Sequence, residues 1–71
     1  MHNPIKLRTL LQIMHKLGFK EIRQKGSHLF MEHPDGRTTV IPSHEEIRIG
    51  LLTKIIKEDL KIEKEEFEKL I

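Results

Sequence analysis

The fold follows most directly from residues 28–41, which read His-Leu-Phe-Met-Glu-His-Pro-Asp-Gly-Arg-Thr-Thr-Val-Ile. Leu29 and Met31 occupy alternate positions, as in a strand that buries one face. The Pro-Asp-Gly that follows predicts a turn, because proline fixes φ and glycine accepts a positive φ. The β-branched run up to Ile41 predicts a second strand, and Pro42 ends it because proline cannot donate a hydrogen bond to the ladder. The stretch therefore predicts two paired antiparallel strands.

Upstream, the sequence predicts a helix over residues 4–17 and a further strand over residues 19–24. Asn3 can cap the helix, Pro4 suits its first position, and Gly18 can end it in the left-handed conformation. Apolar side chains recur along the helix every three or four residues, as in one buried stripe: Leu7, Leu10, Leu11, Met14 and Leu17.

Downstream, residues 43–46 have the Ser-x-x-Glu form of a capping box, and a helix can begin either there or only near Gly50. A second apolar stripe predicts a helix that is broken at residues 59–61; its members are Leu51, Leu52, Ile55 and Ile56. A last short helix is predicted over residues 63–70, with three apolar anchors: Phe67, Leu70 and Ile71.

The predicted order is α-β-β-β-α with an extra short C-terminal helix. This is an α+β fold in which a three-stranded antiparallel sheet carries its helices on one face and leaves the other free. The length of 71 residues predicts a single domain over residues 1–71. No apolar run is long enough to cross a bilayer and no signal peptide is readable, so we expect a cytoplasmic protein without membrane contact.

Charge is distributed unevenly along the chain. Residues 1–37 carry seven Lys or Arg against three Asp or Glu, whereas residues 38–71 carry six against eight. A basic first half indicates an anionic partner. The alternative is that Lys and Glu serve solvation and ion pairing alone, as in many thermostable proteins.

The candidate chemical centre is Lys25-Gly26-Ser27-His28, which we predict to lie in a turn or bulge and at the start of the next strand. Glycine lets a ligand approach the backbone closely, while the lysine and the hydroxyl suit a phosphate. Histidine, with an unperturbed pKa of about 6.5, can accept or donate a proton near neutral pH. The alternative is an ordinary polar turn before a strand.

Two other kinds of site fit the sequence poorly. His28 and His33 are five residues apart, which sends them to opposite faces of a regular strand, and the chain has no cysteine, so we expect neither a metal site nor a cofactor. A nucleophilic triad of Ser27, His28 and Asp35 is also unfavourable, because adjacent strand residues point apart.

Four segments closely resemble the HicA toxin family, the small mRNA interferases of HicA/HicB-type toxin–antitoxin systems. The resemblance extends from about residue 5 to residue 70, and many members carry a histidine at the position of Leu29 and a Lys or Arg at that of Ile49. The segments are Leu17-Gly-Phe-Lys-Glu-Ile-Arg-Gln-Lys-Gly-Ser-His28, Glu32-His-Pro-Asp-Gly36, Val40-Ile-Pro-Ser-His44 and Gly50-Leu-Leu-Thr-Lys-Ile-Ile-Lys57.

The resemblance implies a fold like that of double-stranded-RNA-binding domains and a catalytic histidine at His28. It places the family's Gly-Ser pair on Gly26 and Ser27, and the histidine after its proline on His44. It also implies cleavage of mRNA or other single-stranded RNA without a metal, and inhibition by a HicB-type antitoxin that covers the histidine.

A mechanism follows as a hypothesis. The RNA 2′-hydroxyl attacks the adjacent phosphorus, and His28 either removes the hydroxyl proton or protonates the leaving oxygen. Lys25 and the backbone N–H groups around the turn neutralise the phosphate charge. Three further cations are predicted to bind flanking phosphates, so that affinity falls as salt rises: Lys20, Arg23 and Arg37.

The remaining aromatic and histidine side chains have predicted roles of their own. Phe30 either stacks an unpaired base or is a core phenylalanine. His33 is expected to shape the turn, whereas His2 and His15 are expected to be exposed and incidental.

Two other functions stay open from the sequence. The first is a non-catalytic RNA-binding module of the double-stranded-RNA-binding-domain type, and the second is a structural domain whose free sheet face docks a protein. A thin core and an uncovered sheet face are also compatible with either a monomer or a weak self-associating dimer.

Overall fold

A computed structural model describes residues 4–71 and confirms the predicted α+β layout. The elements in chain order are β1 (Ile5–Lys6), α1 (Leu7–Leu17), β2 (Lys20–Lys25), β3 (His28–Glu32), β4 (Thr38–Pro42), β5 (Glu46–Ile47), α2 (Ile49–Lys54), a π-helical segment (Ile55–Leu60) and α3 (Lys64–Glu68). Strands β2, β3 and β4 form an antiparallel sheet in that order, and β1 pairs with β5 in a second, two-stranded sheet. Within residues 4–71, no helix is long and apolar enough to cross a membrane.

Helix α1 begins at Leu7, so the prediction that Pro4 occupies its first position is wrong. The residues before Leu7 are extended because they pair with β5, and the Leu7 N–H donates to the carbonyl of Glu45 at 3.0 Å. The predicted cap, Asn3, lies outside the described residues. A partner distant in the sequence therefore sets the start of this helix.

The end of α1 follows the prediction. Gly18 has φ +101°, its N–H donates to the carbonyl of His15 at 3.0 Å, and the N–H of Phe19 donates to the carbonyl of Met14 at 2.9 Å. This pair of hydrogen bonds around a left-handed residue is the Schellman motif. It turns the chain back, and Phe19 is buried beneath the helix.

The buried apolar side chains form one cluster between the helices and the sheet. Two predicted core residues are wrong: Leu51 is 37% exposed and Ile71 is 65% exposed. Ile13 is buried although the predicted stripe omits it, because it lies one turn from Leu10 on the same side of α1. The cluster contains Ile5, Leu10, Ile13, Met14, Phe19, Leu29, Met31, Ile41, Ile47, Leu52, Ile55, Ile56, Leu60 and Phe67.

The second helical region begins at Ile49, the later of the two predicted starts. The capping box does not form, since Glu46 belongs to β5 and the residue that caps α2 is Arg48, without a side-chain hydrogen bond. The helix continues as the π-helical segment to the buried Leu60, and the chain turns only at Lys61, which has φ +56°. The predicted break at residues 59–61 is therefore confined to its last residue. Helix α3 confirms the extra C-terminal helix, and its anchor Phe67 is fully buried.

Candidate active site

The three-stranded sheet has two faces of different character. The inner face carries Leu29, Met31, Thr39 and Ile41, which are buried under the helices. Directly paired residues of an antiparallel sheet share a face. His28, Phe30 and Glu32 alternate with the buried β3 residues, so they and the residues paired with them lie on the opposite, outer face. The outer face consists of Lys20, Arg23, Lys25, His28, Phe30, Glu32, Thr38, Val40 and Pro42.

A β-bulge at Ile22 determines which β2 side chains reach the outer face. The pairing of β2 with β3 skips Ile22, which lies between Glu21 and Arg23. In a regular strand, Lys20 and Arg23 would lie on opposite faces because side chains alternate. The extra residue shifts the alternation by one, so Lys20, Arg23 and Lys25 all lie on the outer face. The bulge thus gathers three positive charges on one surface.

His28 lies at the start of β3 on this surface, directly opposite Lys25. Residues paired in this way have Cβ atoms about 5 Å apart. The His28 side chain is exposed, and within residues 4–71 no hydrogen bond or ion pair engages it. Its imidazole is therefore open to a bound molecule, with a cation beside it.

The turn that precedes His28 consists of two residues, Gly26 and Ser27. Gly26 has φ +60°, and a Cβ at that position would meet no atom within 4 Å. The turn thus calls for glycine because of the backbone angle, as in a type II′ hairpin. The Ser43 N–H donates to the Ser27 carbonyl at 2.6 Å, which ties the loop that carries the exposed His44 to this turn.

Phe30 lies on the outer face, half-buried and outside the core cluster. The interpretation of Phe30 as a core phenylalanine is therefore wrong. The guanidinium carbon of Arg23 lies 4.7 Å from the centre of its ring, a distance typical of a cation–π contact. Arg23 and Phe30 are directly paired across β2 and β3, so the contact follows from the strand register.

Arg37 is held away from the outer-face cations by structural contacts. Its Nε donates to Asp35 Oδ2 at 2.7 Å, and its Nη1 donates to the carbonyl of Leu60. Its guanidinium carbon lies 5.3 Å from the centre of the Phe19 ring. The structure does not bring Arg37 together with Lys20, Arg23 and Lys25; this side chain joins the β3–β4 turn to the end of the π-helical segment.

His33 also has a structural role, as predicted for the turn. Its Nε2 lies 3.0 Å from the Leu17 carbonyl, and its Nδ1 accepts the Asp35 N–H at 3.1 Å. Its ring meets the edge of Phe19 at 5.2 Å between ring centres. Asp35 contacts His33 and Arg37, and the hydrogen bond from the Arg37 backbone N–H is the main cause of the lowered pKa of the Asp35 carboxyl. Asp35 is thus occupied in the turn and forms no triad with His28.

His15 is not incidental, which corrects the prediction. Its Nε2 lies 2.6 Å from Glu21 Oε1, and this hydrogen bond is the main reason why the pKa of Glu21 is lowered. The contact joins α1 to β2 across the Schellman turn, so no local pattern could have indicated it. The other histidine expected to be incidental, His2, lies outside the described residues. Among residues 4–71, no three His, Asp or Glu side chains converge as a possible metal site.

Comparison with known proteins gives one family. The model described as "HicA toxin of bacterial toxin-antitoxin" matches residues 7–60, whereas no curated protein matches the chain. The matched region extends from α1 through the π-helical segment and therefore includes the whole outer face and the turn before His28. Since it also covers well over half of the 71 residues, the chain belongs to the HicA toxin family of bacterial toxin–antitoxin systems.

Proposed function

We propose that this toxin is a metal-independent endoribonuclease, an mRNA interferase, in which His28 is the catalytic histidine. The observation that carries the proposal is the position of His28: exposed, without a partner among the described residues, and directly opposite Lys25 beside a tight turn. A histidine held for structural reasons makes contacts like those of His33, which packs and hydrogen-bonds within the fold. His28 makes none of these.

The reaction uses only groups of the RNA and of the protein. The ribose 2′-oxygen attacks the adjacent phosphorus, the bond from phosphorus to the 5′-oxygen breaks, and the products are a 2′,3′-cyclic phosphate and a 5′-hydroxyl. One group takes the 2′-hydroxyl proton and another gives a proton to the 5′-oxygen; His28 performs one of these transfers. Lys25 and the N–H groups of Gly26 and Ser27 stabilise the charge that develops on the phosphate oxygens.

RNA binding is assigned to the cations that the bulge gathers. Lys20 and Arg23 bind phosphates that flank the cleaved one. Ser27 and His44 offer hydrogen bonds from the two loops that meet at the His28 end of the sheet. Arg37 is left out of this set, since its guanidinium is engaged with the protein. The affinity for single-stranded RNA should then fall with salt by a slope of about −0.7 per phosphate bound.

The antitoxin is proposed to be a HicB-type protein that covers the outer face. Toxins of this family belong to toxin–antitoxin pairs, and the chain exposes apolar side chains beside its cations: Ile22 is 56% exposed and Val40 is 41% exposed. Such a mixed surface suits a protein partner as well as RNA. A HicB-type protein encoded by a gene next to that of this toxin should stop RNA cleavage when antitoxin and toxin are mixed in a one-to-one molar ratio.

The test is cleavage of a long single-stranded RNA in EDTA by the wild-type protein and by His28→Ala. We expect the wild type to cut, and His28→Ala to lose cleavage while it keeps its circular-dichroism spectrum and most of its RNA affinity. His15→Gln is the matched control: it removes an exposed histidine of α1, the glutamine amide can still donate a hydrogen bond to Glu21, and cleavage should stay intact. If neither protein cuts while both bind RNA equally, the non-catalytic RNA-binding module replaces this proposal. Cleavage only with added Mg²⁺ would refute the metal-independent mechanism.

A further inference from the structure

Phe30 lies in a row of three outer-face residues that crosses the sheet beside the row of His28. The row consists of Arg23, Phe30 and Val40, which are paired directly across the three strands. His28 and Phe30 are two residues apart on β3, so the rows are about 7 Å apart. The part of a bound molecule that follows the group at His28 therefore meets this second row.

Packing into the core does not explain the aromatic ring on this surface. Phe30 is half-buried, its neighbour Val40 is 41% exposed, and the core cluster lies on the other face of the sheet. The contact on its ring is the guanidinium of Arg23, carried by the exposed edge strand β2. The ring is thus covered by a charged side chain that can swing away without unfolding anything.

We propose that Phe30 is a stacking platform for an unpaired nucleobase next to the cleaved phosphate, and that Arg23 leaves the ring to bind a phosphate when RNA arrives. This inference rests on the proposed function in that it takes RNA to be the ligand, but it concerns binding and does not depend on cleavage. Aromatic side chains that stack bases accept any base, because every base has a π-face.

The magnitudes favour this exchange. A cation–π contact at an exposed site contributes a factor of about two to five to the equilibrium constant for its formation. Stacking of a base on an aromatic side chain contributes roughly 5- to 150-fold in affinity. The guanidinium also gains a phosphate contact when it leaves the ring, so its loss from the Phe30 ring is more than offset.

The charges on this surface determine where the sugar–phosphate chain and the bases of the RNA lie. Lys20, Arg23 and Lys25 follow the edge strand, so the sugar–phosphate chain runs along β2 and its bases point inward over β3. On β3, the residue after the platform on the same face is Glu32, which repels phosphate and keeps the backbone at the β2 edge. One base therefore stacks on Phe30 while the adjacent phosphate lies beside His28.

The experiment compares the binding of two single-stranded 12-mers of equal charge, oligoadenylate and its fully abasic analogue, by fluorescence anisotropy in EDTA. All proteins carry His28→Ala so that the RNA stays intact. We expect the parent to prefer oligoadenylate by at least fivefold, Phe30→Leu to lose most of that preference, and Phe30→Tyr to keep it. Val40→Ala is the matched control from the same row and should keep the preference. Arg23→Gln should keep the preference but reduce the salt slope by about 0.7.

The outcomes separate this inference from the proposed function. An unchanged base preference in Phe30→Leu, or no base preference in the parent, overturns the platform even if the wild type cuts RNA. Loss of antitoxin binding in Phe30→Leu with an unchanged base preference assigns Phe30 to a protein interface and also overturns it. A base preference that depends on Phe30 in a chain whose wild type does not cleave supports the platform while the proposed function fails.

Discussion

Replacement of Gly18 by alanine tests how the end of α1 is fastened to the β3–β4 turn. Gly18 has φ +101°, and a Cβ built on it would lie 2.9 Å from Nε2 of His33. That imidazole nitrogen is the atom that lies 3.0 Å from the Leu17 carbonyl. The added methyl group therefore strains the backbone and also pushes His33 away from its hydrogen bond.

The expected loss of unfolding free energy is the sum of these two effects. A left-handed backbone costs a residue with a Cβ about 1–2 kcal/mol, and the displaced hydrogen bond contributes about 0.5–1.5 kcal/mol. Gly18→Ala should therefore reduce the free energy of unfolding by about 1.5–3.5 kcal/mol. In a domain of this size, Tm falls by roughly 4–8 °C for each kcal/mol lost. Gly36 provides the matched control, since it has φ +99° but open space around the position of a Cβ.

The assay is urea unfolding followed by circular dichroism on a cycle of variants. Gly36→Ala should reduce the free energy of unfolding by about 1–2 kcal/mol, the backbone effect alone. In the background of His33→Ala, the effect of Gly18→Ala should fall to that of Gly36→Ala, because the side chain in its way is gone. Equal effects of the two glycine variants in the wild-type background would refute the steric argument, and an effect that persists without His33 would refute its assignment to the imidazole.

Two further predictions concern acid stability and salt dependence. The hydrogen bonds from Arg37 lower the pKa of Asp35 in the folded state, so the unfolded chain binds more protons near pH 4 and the free energy of unfolding falls as pH falls through that range. Asp35→Asn should lower stability at pH 7 and flatten this acid limb in pH-dependent urea melts, whereas an unchanged limb would contradict the role of Asp35. Lys25→Gln should reduce the salt slope of RNA binding by about 0.7. Lys64→Gln on α3, which packs against the π-helical segment, is the control, and equal slopes for the two variants would count against a phosphate at Lys25.

Much of the candidate site was readable from the sequence because it depends on local conformation. Gly26 and Ser27 form the predicted turn, and the polar–apolar alternation of β3 places His28 and Leu29 on opposite faces. Since Leu29 is buried on the inner face, it is not part of the site. Local backbone preference and strand alternation were sufficient to predict these positions.

Contacts between distant segments could not be read in this way. Arg37 looked like a phosphate-binding cation, yet its contact with Leu60 depends on how the π-helical segment packs. The same applies to the pair His15 and Glu21, and to the strand that delays the start of α1. A charged side chain that binds a ligand and one that binds the protein look the same in the sequence, because tertiary packing determines which partner lies beside it.

The α-β-β-β-α order of the main elements, the turn before His28 and the family resemblance were all readable from the sequence alone. That Lys20, Arg23 and Lys25 share the face of His28, and that Arg23 covers Phe30, became visible only in the folded chain. Both follow from the bulge at Ile22. Lys-Glu-Ile-Arg-Gln-Lys contains no glycine or proline to mark it, and the extra residue arises only when β2 has to pair with β3 in a register fixed by the core on the other side.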